Sequence, residues 1–295
     1  MIWLYLLLAT GLAIAVYSLT FARWRWSVQR SEAAVLPKGA KPIRVLHISD
    51  IHMAPWQRGK QRFIKQLISL QPDLIVNTGD NLGHTDAIAP TLSALGPLLD
   101  VPGVFVNGSN DYYAPRFKSP IAYVFKPSTP HHETPLATAA LTDTFESLGW
   151  QNLNNRGAAL TVNGTELSFI GVDDAHDQLA DLDSLATSRK KSNGELVIGV
   201  THAPYRAVIE AMAEQGAEMI FAGHTHGGQV RFPIIGALTT NCDLPTKYAR
   251  GISAWRFAGR DVILNVVAGL GHSIYAPIRF ACRPEVRLLT LLPRV

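Results

Sequence analysis

Short runs of branched and large apolar residues recur along this chain, each breaking off into a cluster of carboxylate, imidazole or amide side chains, and this pattern constrains the fold most. Ile43 to Ile48 ends at Ser49-Asp50-Ile51-His52, Leu74 to Asn77 at Thr78-Gly79-Asp80, and Val104 to Val106 at Asn107-Gly108-Ser109-Asn110-Asp111. Further on, Leu196 to Val200 ends at Thr201-His202, and Met219 to Ala222 at Gly223-His224-Thr225-His226-Gly227-Gly228. Runs this short and this rich in branched apolar residues read as buried strands. Helical stretches separate the first three: Arg58 to Leu70, with Phe63, Leu67 and Leu70 at i, i+4 and i+7, and Ala87 to Leu99. Strand alternating with helix predicts βαβ units. The polar groups gather where the strands end, which is where open α/β sheets bind ligands.

The later part is less regular. A helix from Ala140 to Leu148 precedes Ala158 to Val162 and Glu166 to Ile170, joined by the hairpin signal Asn163-Gly164-Thr165. Glu210 to Gln215 is helical, and Asp261 to Val267 and Val286 to Leu292 are the last buried runs. Parallel units early and a hairpin late call for two sheets. Pro115, Pro120, Pro127, Pro130 and Pro135 forbid a long element through residues 112 to 135. That stretch reads either as a substrate-facing excursion or as a plain surface loop. With 295 residues, 47% of them hydrophobic, the chain can build one large catalytic domain or two smaller units. No unit repeats at a fixed period, which argues against a solenoid or propeller.

From Ile2 to Ala22 no residue carries a formal charge. As a helix the run is roughly 30 Å long, the thickness of a bilayer's hydrocarbon core. A membrane-spanning anchor is the leading expectation, with a cleaved signal peptide or a buried helix as rivals. No Lys or Arg precedes the run, whereas Arg23, Arg25 and Arg30 follow it, beside the interfacial Trp24 and Trp26. That charge bias predicts a single-pass protein with its domain on the cytoplasmic side. The expected organisation is an anchor over 1–22, a polar juxtamembrane link over 23–41 and a catalytic domain over 42–295. A net charge of +4, spread along the chain, offers no basic stripe with interleaved aromatics, so no nucleic-acid partner is expected. Cys242 and Cys282 form no CxxC pair, and whether they bond to each other is left open.

The side chains at the strand ends suit metal binding. In Asp50-Ile51-His52 and His224-Thr225-His226, an extended backbone would set alternate side chains on one face, where two donors can share an ion. Asp80, presented by Gly79, can cap a helix or bridge two divalent ions about 3.5 to 4 Å apart. His202 is a natural further donor. Asn110 can contribute an amide oxygen, or Asn107, Asn110 and Asp111 can simply stabilise a turn.

This ordered set, Asp50-Ile51-His52, Gly79-Asp80, Gly108-Ser109-Asn110-Asp111, His202 and Gly223-His224-Thr225-His226, resembles the calcineurin-like metallophosphoesterases. Within them it is most similar to the membrane-associated bacterial branch of small phosphodiesterases, over residues 43 to 292. The resemblance implies a four-layer αββα sandwich of two mixed sheets holding two divalent ions. It implies that Asp50, His52 and His226 hold the first ion, that Asp80 bridges, and that Asn110, His202 and His224 hold the second. Asp80, Asn110 and His202 take the catalytic roles, and Mn, Fe or Zn suit the mixed donors. The implied activity is hydrolysis of a phosphate ester by activated water, with a phosphodiester or lipid-linked pyrophosphate as substrate.

One motif departs from the family pattern. The third usually reads Gly-Asn-His followed by an acid, so Ser109 stands on the usual metal-binding Asn and Asn110 on the usual His. No imidazole is left there to protonate a leaving group. His272 and the pair His131-His132 are spare candidates. The rival to an enzyme is a binding or regulatory module of the same fold. A dinucleotide-binding protein is disfavoured by the lack of a G-x-G-x-x-G run after the first strand.

Overall fold

A computed structural model describes residues 1–116, 132–191, 196–232 and 234–295. Helix α1 (Ile2–Thr20) is almost wholly exposed, and within the segment Ile2–Trp24 an 18-residue window reaches a mean hydropathy of 2.0, so by length and composition it can cross a bilayer. Strand β1 (Ser27–Leu36) follows, then β2 (Ile43–Ile48), α2 (Arg58–Gln66), β3 (Leu74–Asn77), α3 (Ile88–Leu95), β4 (Gly103–Phe105), the short α4 (Ser109–Tyr112), α5 (Thr138–Ser147) and β5 (Gln151–Asn152). The second half contains β6 (Gly157–Val162), β7 (Thr165–Gly171), α6 (Ser184–Lys191), β8 (Leu196–Thr201), α7 (Arg206–Glu214) and β9 (Met219–Ala222). It ends with β10 (Arg231–Phe232), β11 (Gly236–Ala237), β12 (Gly251–Phe257), β13 (Arg260–Val266) and β14 (Glu285–Pro293).

Two six-stranded mixed sheets result, in the orders β1-β14-β2-β3-β4-β5 and β12-β13-β9-β8-β7-β6. Strands β2 to β5 run parallel, as do β7, β8, β9 and β13. Alternation along the strands fills both faces. Val45, Val76 and Val104 of the first sheet meet Phe169, Ile198 and Phe221 of the second, forming the core between them. Their neighbours Leu46, Ile75 and Phe105 point outward onto Ile64, Leu95 and Phe145 of α2, α3 and α5. On the far side Ile170, Val197 and Ile220 pack under Val208, Ile209 and Met212 of α7. The expected αββα layering is therefore present.

One expectation needs correction. Residues 23–41 are not a link, because β1 occupies ten of them and pairs in parallel with β14, Ser27 against Glu285. As an edge strand with one exposed face β1 is polar, and its partner lies at the other end of the chain, so no local pattern marks it. Strand β12 escaped notice for the same reason: it is an edge strand whose burial alternates. The proline-rich stretch 112–135 lies mostly outside the described residues. Cys242 and Cys282 are both free thiols, the first half-buried and the second buried.

Candidate metal centre

The expected ligands all lie beyond the C-terminal ends of parallel strands. Asp50 and His52 follow β2, Asp80 follows β3, Asn110 lies in α4 beyond β4, His202 follows β8, and His224 and His226 follow β9. The centre thus sits where the carboxyl ends of the two sheets meet.

The backbone there departs from the extended geometry that sequence reasoning assumed. Asp50, His52, Asp80, His224 and His226 have φ of 48°, 42°, 54°, 64° and 48°. Non-glycine residues rarely adopt this left-handed region, at about 1–3 kcal/mol each. Neither pair is brought together by strand alternation. Instead each side chain is swung inward by a turn, and the turns are tied to one another. Asp50 N donates to Gly79 O at 2.9 Å, His52 N to Asp80 O at 2.9 Å, and Gly271 N to Asp50 O at 2.6 Å. The buried Lys60 adds bonds from Nζ to Ile51 O at 2.6 Å and His52 O at 3.2 Å. Two glycines permit the close approach: a Cβ on Gly108 would run into Asp80 Oδ1 and stand 2.7 Å from His202 Cε1, and one on Gly223 would stand 2.6 Å from Asp50 Oδ2.

Two sets of donors converge. The ligand atoms of Asp50, His52 and His226 all lie within 4.8 Å of one another, as do those of Asp50, Asp80 and His202. Asp50 belongs to both sets, so it shares the central position expected for Asp80 alone. Asp80 Oδ2 also lies between the sets, 3.3 Å from His52 Nε2 and 3.6 Å from His202 Nε2. His224 is in neither set, although its ring centroid is 5.2 Å from that of His202.

Outer residues fix the orientation of these groups. His202 Nδ1 lies 2.7 Å from Thr78 O, so it carries the proton and leaves Nε2 as the free donor. His224 Nε2 faces both Asn241 O at 3.2 Å and Asn241 Nδ2 at 3.3 Å, so Asn241 fixes the ring from that side. Ser49 Oγ donates to Asp50 Oδ2 at 2.6 Å. Asn110 donates twice to Asp80, from its backbone N to Oδ1 and from Nδ2 to Oδ2, both at 2.8 Å. Asp111 is buried and accepts from Asn81 N at 2.8 Å, Gly108 N at 3.0 Å and Leu82 N at 3.3 Å. It therefore orients the turn.

The electrostatics are those of a cation site. Burial, with the nearby Asp80 charge adding to it, pushes the Asp50 carboxyl well above the usual carboxylate range. Burial also raises Asp80 to about 6, against the Asn110 hydrogen bonds that lower it. Desolvation lowers His202 to about 4 and His224 to about 3, and holds His52 and His226 well below the imidazole range. Neutral imidazoles keep a lone pair to donate, and crowded carboxylates are relieved by positive charge. Both ring nitrogens of His52 and Nε2 of His202 are buried with no hydrogen-bond partner among the described residues. Such atoms are costly to bury unless something coordinates them. The residues fit a pair of divalent cations.

Over residues 43–228 the sequence matches the model of the calcineurin-like phosphoesterases. The chain belongs to that family. Among the relatives of this chain, an uncharacterised metallophosphoesterase of Aquifex aeolicus (strain VF5) is 27% identical, the match covering 88% of each chain. Phosphodiesterase YaeI of Escherichia coli (strain K12) is 24% identical over 89% of this chain and 87% of its own. A transmembrane protein with metallophosphoesterase domain from Danio rerio is 26% identical over 94% of this chain and 60% of its own.

Of the spare histidines, His272 is buried, with Nδ1 2.9 Å from Ser273 O, and desolvation lowers it to about 3. His132 is exposed, 3.8 Å from Asp177 Oδ2, and His131 lies outside the described residues. Sequence reasoning missed His176, whose ring centroid is 4.8 Å from that of His224 and whose Nδ1 is 2.9 Å from Tyr205 Oη. It also missed Ser49, Lys60, Thr78 and Asn241. Ser49 and Thr78 adjoin the ligand motifs and could have been found there. Asn241 and His176 stand in loops with no motif of their own.

Proposed function

We propose that this member of the calcineurin-like phosphoesterase family is a membrane-anchored hydrolase of a phosphodiester or lipid-linked pyrophosphate, working with two divalent ions, Mn, Fe or Zn. The observation that carries this reading is the pair of buried carboxylates, Asp50 and Asp80, set among imidazole nitrogens that have no other partner. Asp50, His52 and His226 would hold one ion, and Asp80, His202 and His224 the other, with both carboxylates near the shared space. When bound, the ions neutralise charge on the phosphoryl oxygens and make a water nucleophilic at neutral pH.

The chain's own residues supply orientation. Thr78 holds the tautomer of His202, Asn241 holds the ring of His224, and Ser49 turns Asp50 so that Oδ1 lies 3.7 Å from His226 Nε2. Asn110 acts by gripping Asp80, through its backbone N–H and its side-chain Nδ2. With an amide where an imidazole was expected, leaving groups that depart without a proton are favoured, which supports diester or pyrophosphate substrates over alkyl monoesters. Helix α1 and the arginines after it support a membrane anchor with the domain on the cytoplasmic side. The Danio rerio relative is itself a named transmembrane protein, which supports membrane attachment here.

The test is hydrolysis by full-length protein stripped of metal and reloaded with Mn, Zn or Fe, on a panel of aryl diesters, alkyl monoesters and lipid-linked pyrophosphates. Metal-dependent turnover, greatest on diesters or pyrophosphates, is expected. Two bound ions with no turnover on any substrate would identify a binding module instead.

A further inference from the structure

Two groups of exposed apolar side chains adjoin one another on this protein. One is helix α1. The other is the short hairpin of β10 and β11, where Phe232 is 44% exposed, Ile235 72%, and Ile234 fully exposed. They meet through a single segment. Arg279 N donates to Ser18 O at the end of α1 at 3.2 Å. The next residue, Phe280, pairs with the hairpin's base: its N donates to Gln229 O at 3.0 Å, and its O accepts from Arg231 N at 3.0 Å. Its ring lies 6.2 Å from that of Phe232. The hairpin therefore flanks the point where the apolar helix enters the domain.

Charge agrees with this placement. The stretches 1–31, 226–238 and 272–284 contain no Asp or Glu, and their only formally charged side chains are arginines: Arg23, Arg25, Arg30, Arg231 and Arg283, together with Arg279, which is buried. Trp24, just after α1, and Tyr275, whose neighbour Ala276 accepts through its O from Gln229 Nε2 at 2.8 Å at the hairpin's base, are each 38% exposed. Exposed isoleucines rimmed by arginine and interfacial aromatics are what a surface resting in an anionic leaflet presents. Exposed apolar patches in general mark such contacts.

We propose that the β10–β11 hairpin inserts Ile234 and Ile235 into the bilayer surface beside α1 and so sets the metal centre over the lipid headgroups. The proposal rests on the reading of α1 as a membrane anchor. The link to the centre is short: the segment that carries His226 runs directly into β10, and Arg231 Nη1 ties the hairpin back to Gly227 O at 3.0 Å. An ester bond in the headgroup layer would then reach the centre without its lipid leaving the membrane.

The experiment places an environment-sensitive fluorophore on full-length protein in phosphatidylcholine–phosphatidylglycerol vesicles, through Ile235→Cys, Leu8→Cys in α1, or Glu166→Cys. Glu166 is exposed at the start of β7, the end of the sheet away from the centre. Unsubstituted protein labelled in parallel accounts for the half-buried Cys242. The label at 235 is expected to shift to the blue, to be quenched by doxyl-labelled lipid and to resist iodide, as at 8, whereas 166 is quenched by iodide. In Ile234→Ser/Ile235→Ser, turnover of a vesicle-embedded lipid diester falls about tenfold, because insertion depends on buried apolar area. Turnover of soluble bis(p-nitrophenyl) phosphate is unchanged. Lipid quenching at 8 with iodide quenching at 235 overturns the hairpin proposal and leaves the anchor standing. Iodide quenching at both overturns the two together. Cross-linking of 235 to 235 without lipid quenching would assign the surface to a second copy of the chain.

Discussion

Replacing Asn110 by Ala separates orientation from proton donation. Asn110 gives Asp80 two hydrogen bonds, and Asn110→Ala keeps the backbone one to Oδ1 while deleting the side-chain one to Oδ2. A hydrogen bond to a charged group contributes about 1.5–3 kcal/mol, which at about 1.4 kcal/mol per factor of ten is roughly 10- to 150-fold. Asp80 is only 3% exposed, so the loss is not screened by bulk solvent. Asn110 itself is half-buried, so a water can enter the space left by the amide and bring the effect toward the lower end. The assay is kcat/KM on bis(p-nitrophenyl) phosphate, with Mn affinity measured in parallel by chelator competition. The expected result is a fall of roughly 10- to 50-fold, weaker Mn binding, and recovery of most activity at high Mn. Dependence on leaving-group pKa stays as it was. A loss that steepens as the leaving group becomes more basic would make Asn110 part of the proton path and refute the orienting role. A change smaller than about twofold would refute the grip on Asp80.

Gly108→Ala is allowed by backbone conformation, since φ is −115°, but its Cβ collides with Asp80 and His202. Activity should fall by about 100-fold with circular dichroism unchanged, as for a displacement of catalytic groups near 1 Å; near-normal activity would show the cradle to be looser than drawn. His47 lies between the sheets, with Nε2 2.9 Å from Thr78 Oγ1 and Nδ1 3.0 Å from Asn265 Nδ2, and burial lowers it to about 3. Its unfolded form, near 6.5, is protonated first as pH drops, so its neutral burial costs nothing above about 6.5 and destabilises the fold progressively toward about 3. In urea unfolding of metal-stripped protein, His47→Gln should flatten the pH dependence of stability across that window by about 1.4 kcal/mol per pH unit, and an unchanged slope would contradict the assignment. Stripping metal should lower Tm reversibly, since each ion at a hundred times its Kd adds about 2.7 kcal/mol; identical melting of stripped and reloaded protein would argue against folded-state binding.

The centre was legible because its ligands follow strands buried on both faces. Ile43–Ile48, Leu74–Asn77, Leu196–Thr201 and Met219–Ala222 are apolar enough to be read without context, and the residues after them stand out. Edge strands β1 and β12 carry no such signal: half their side chains face solvent, and β1 pairs with a strand at the far end of the chain. The geometry at the ligands was inferred for the wrong reason. Alternation in an extended chain suggested that Asp50 and His52 share a face, whereas tertiary hydrogen bonds hold both in left-handed turns that local propensity disfavours. The groups around the ligands were the hardest to read, since Asn241 and His176 meet His224 only once distant loops are brought together.

Anomalous diffraction from crystals of the Mn- or Zn-loaded protein tests the central claim most directly. Two peaks about 3.5–4 Å apart are expected, one within reach of Asp50, His52 and His226 and the other of Asp80, His202 and His224. A single peak, or peaks bound elsewhere with Asp50 and Asp80 left free, would contradict it.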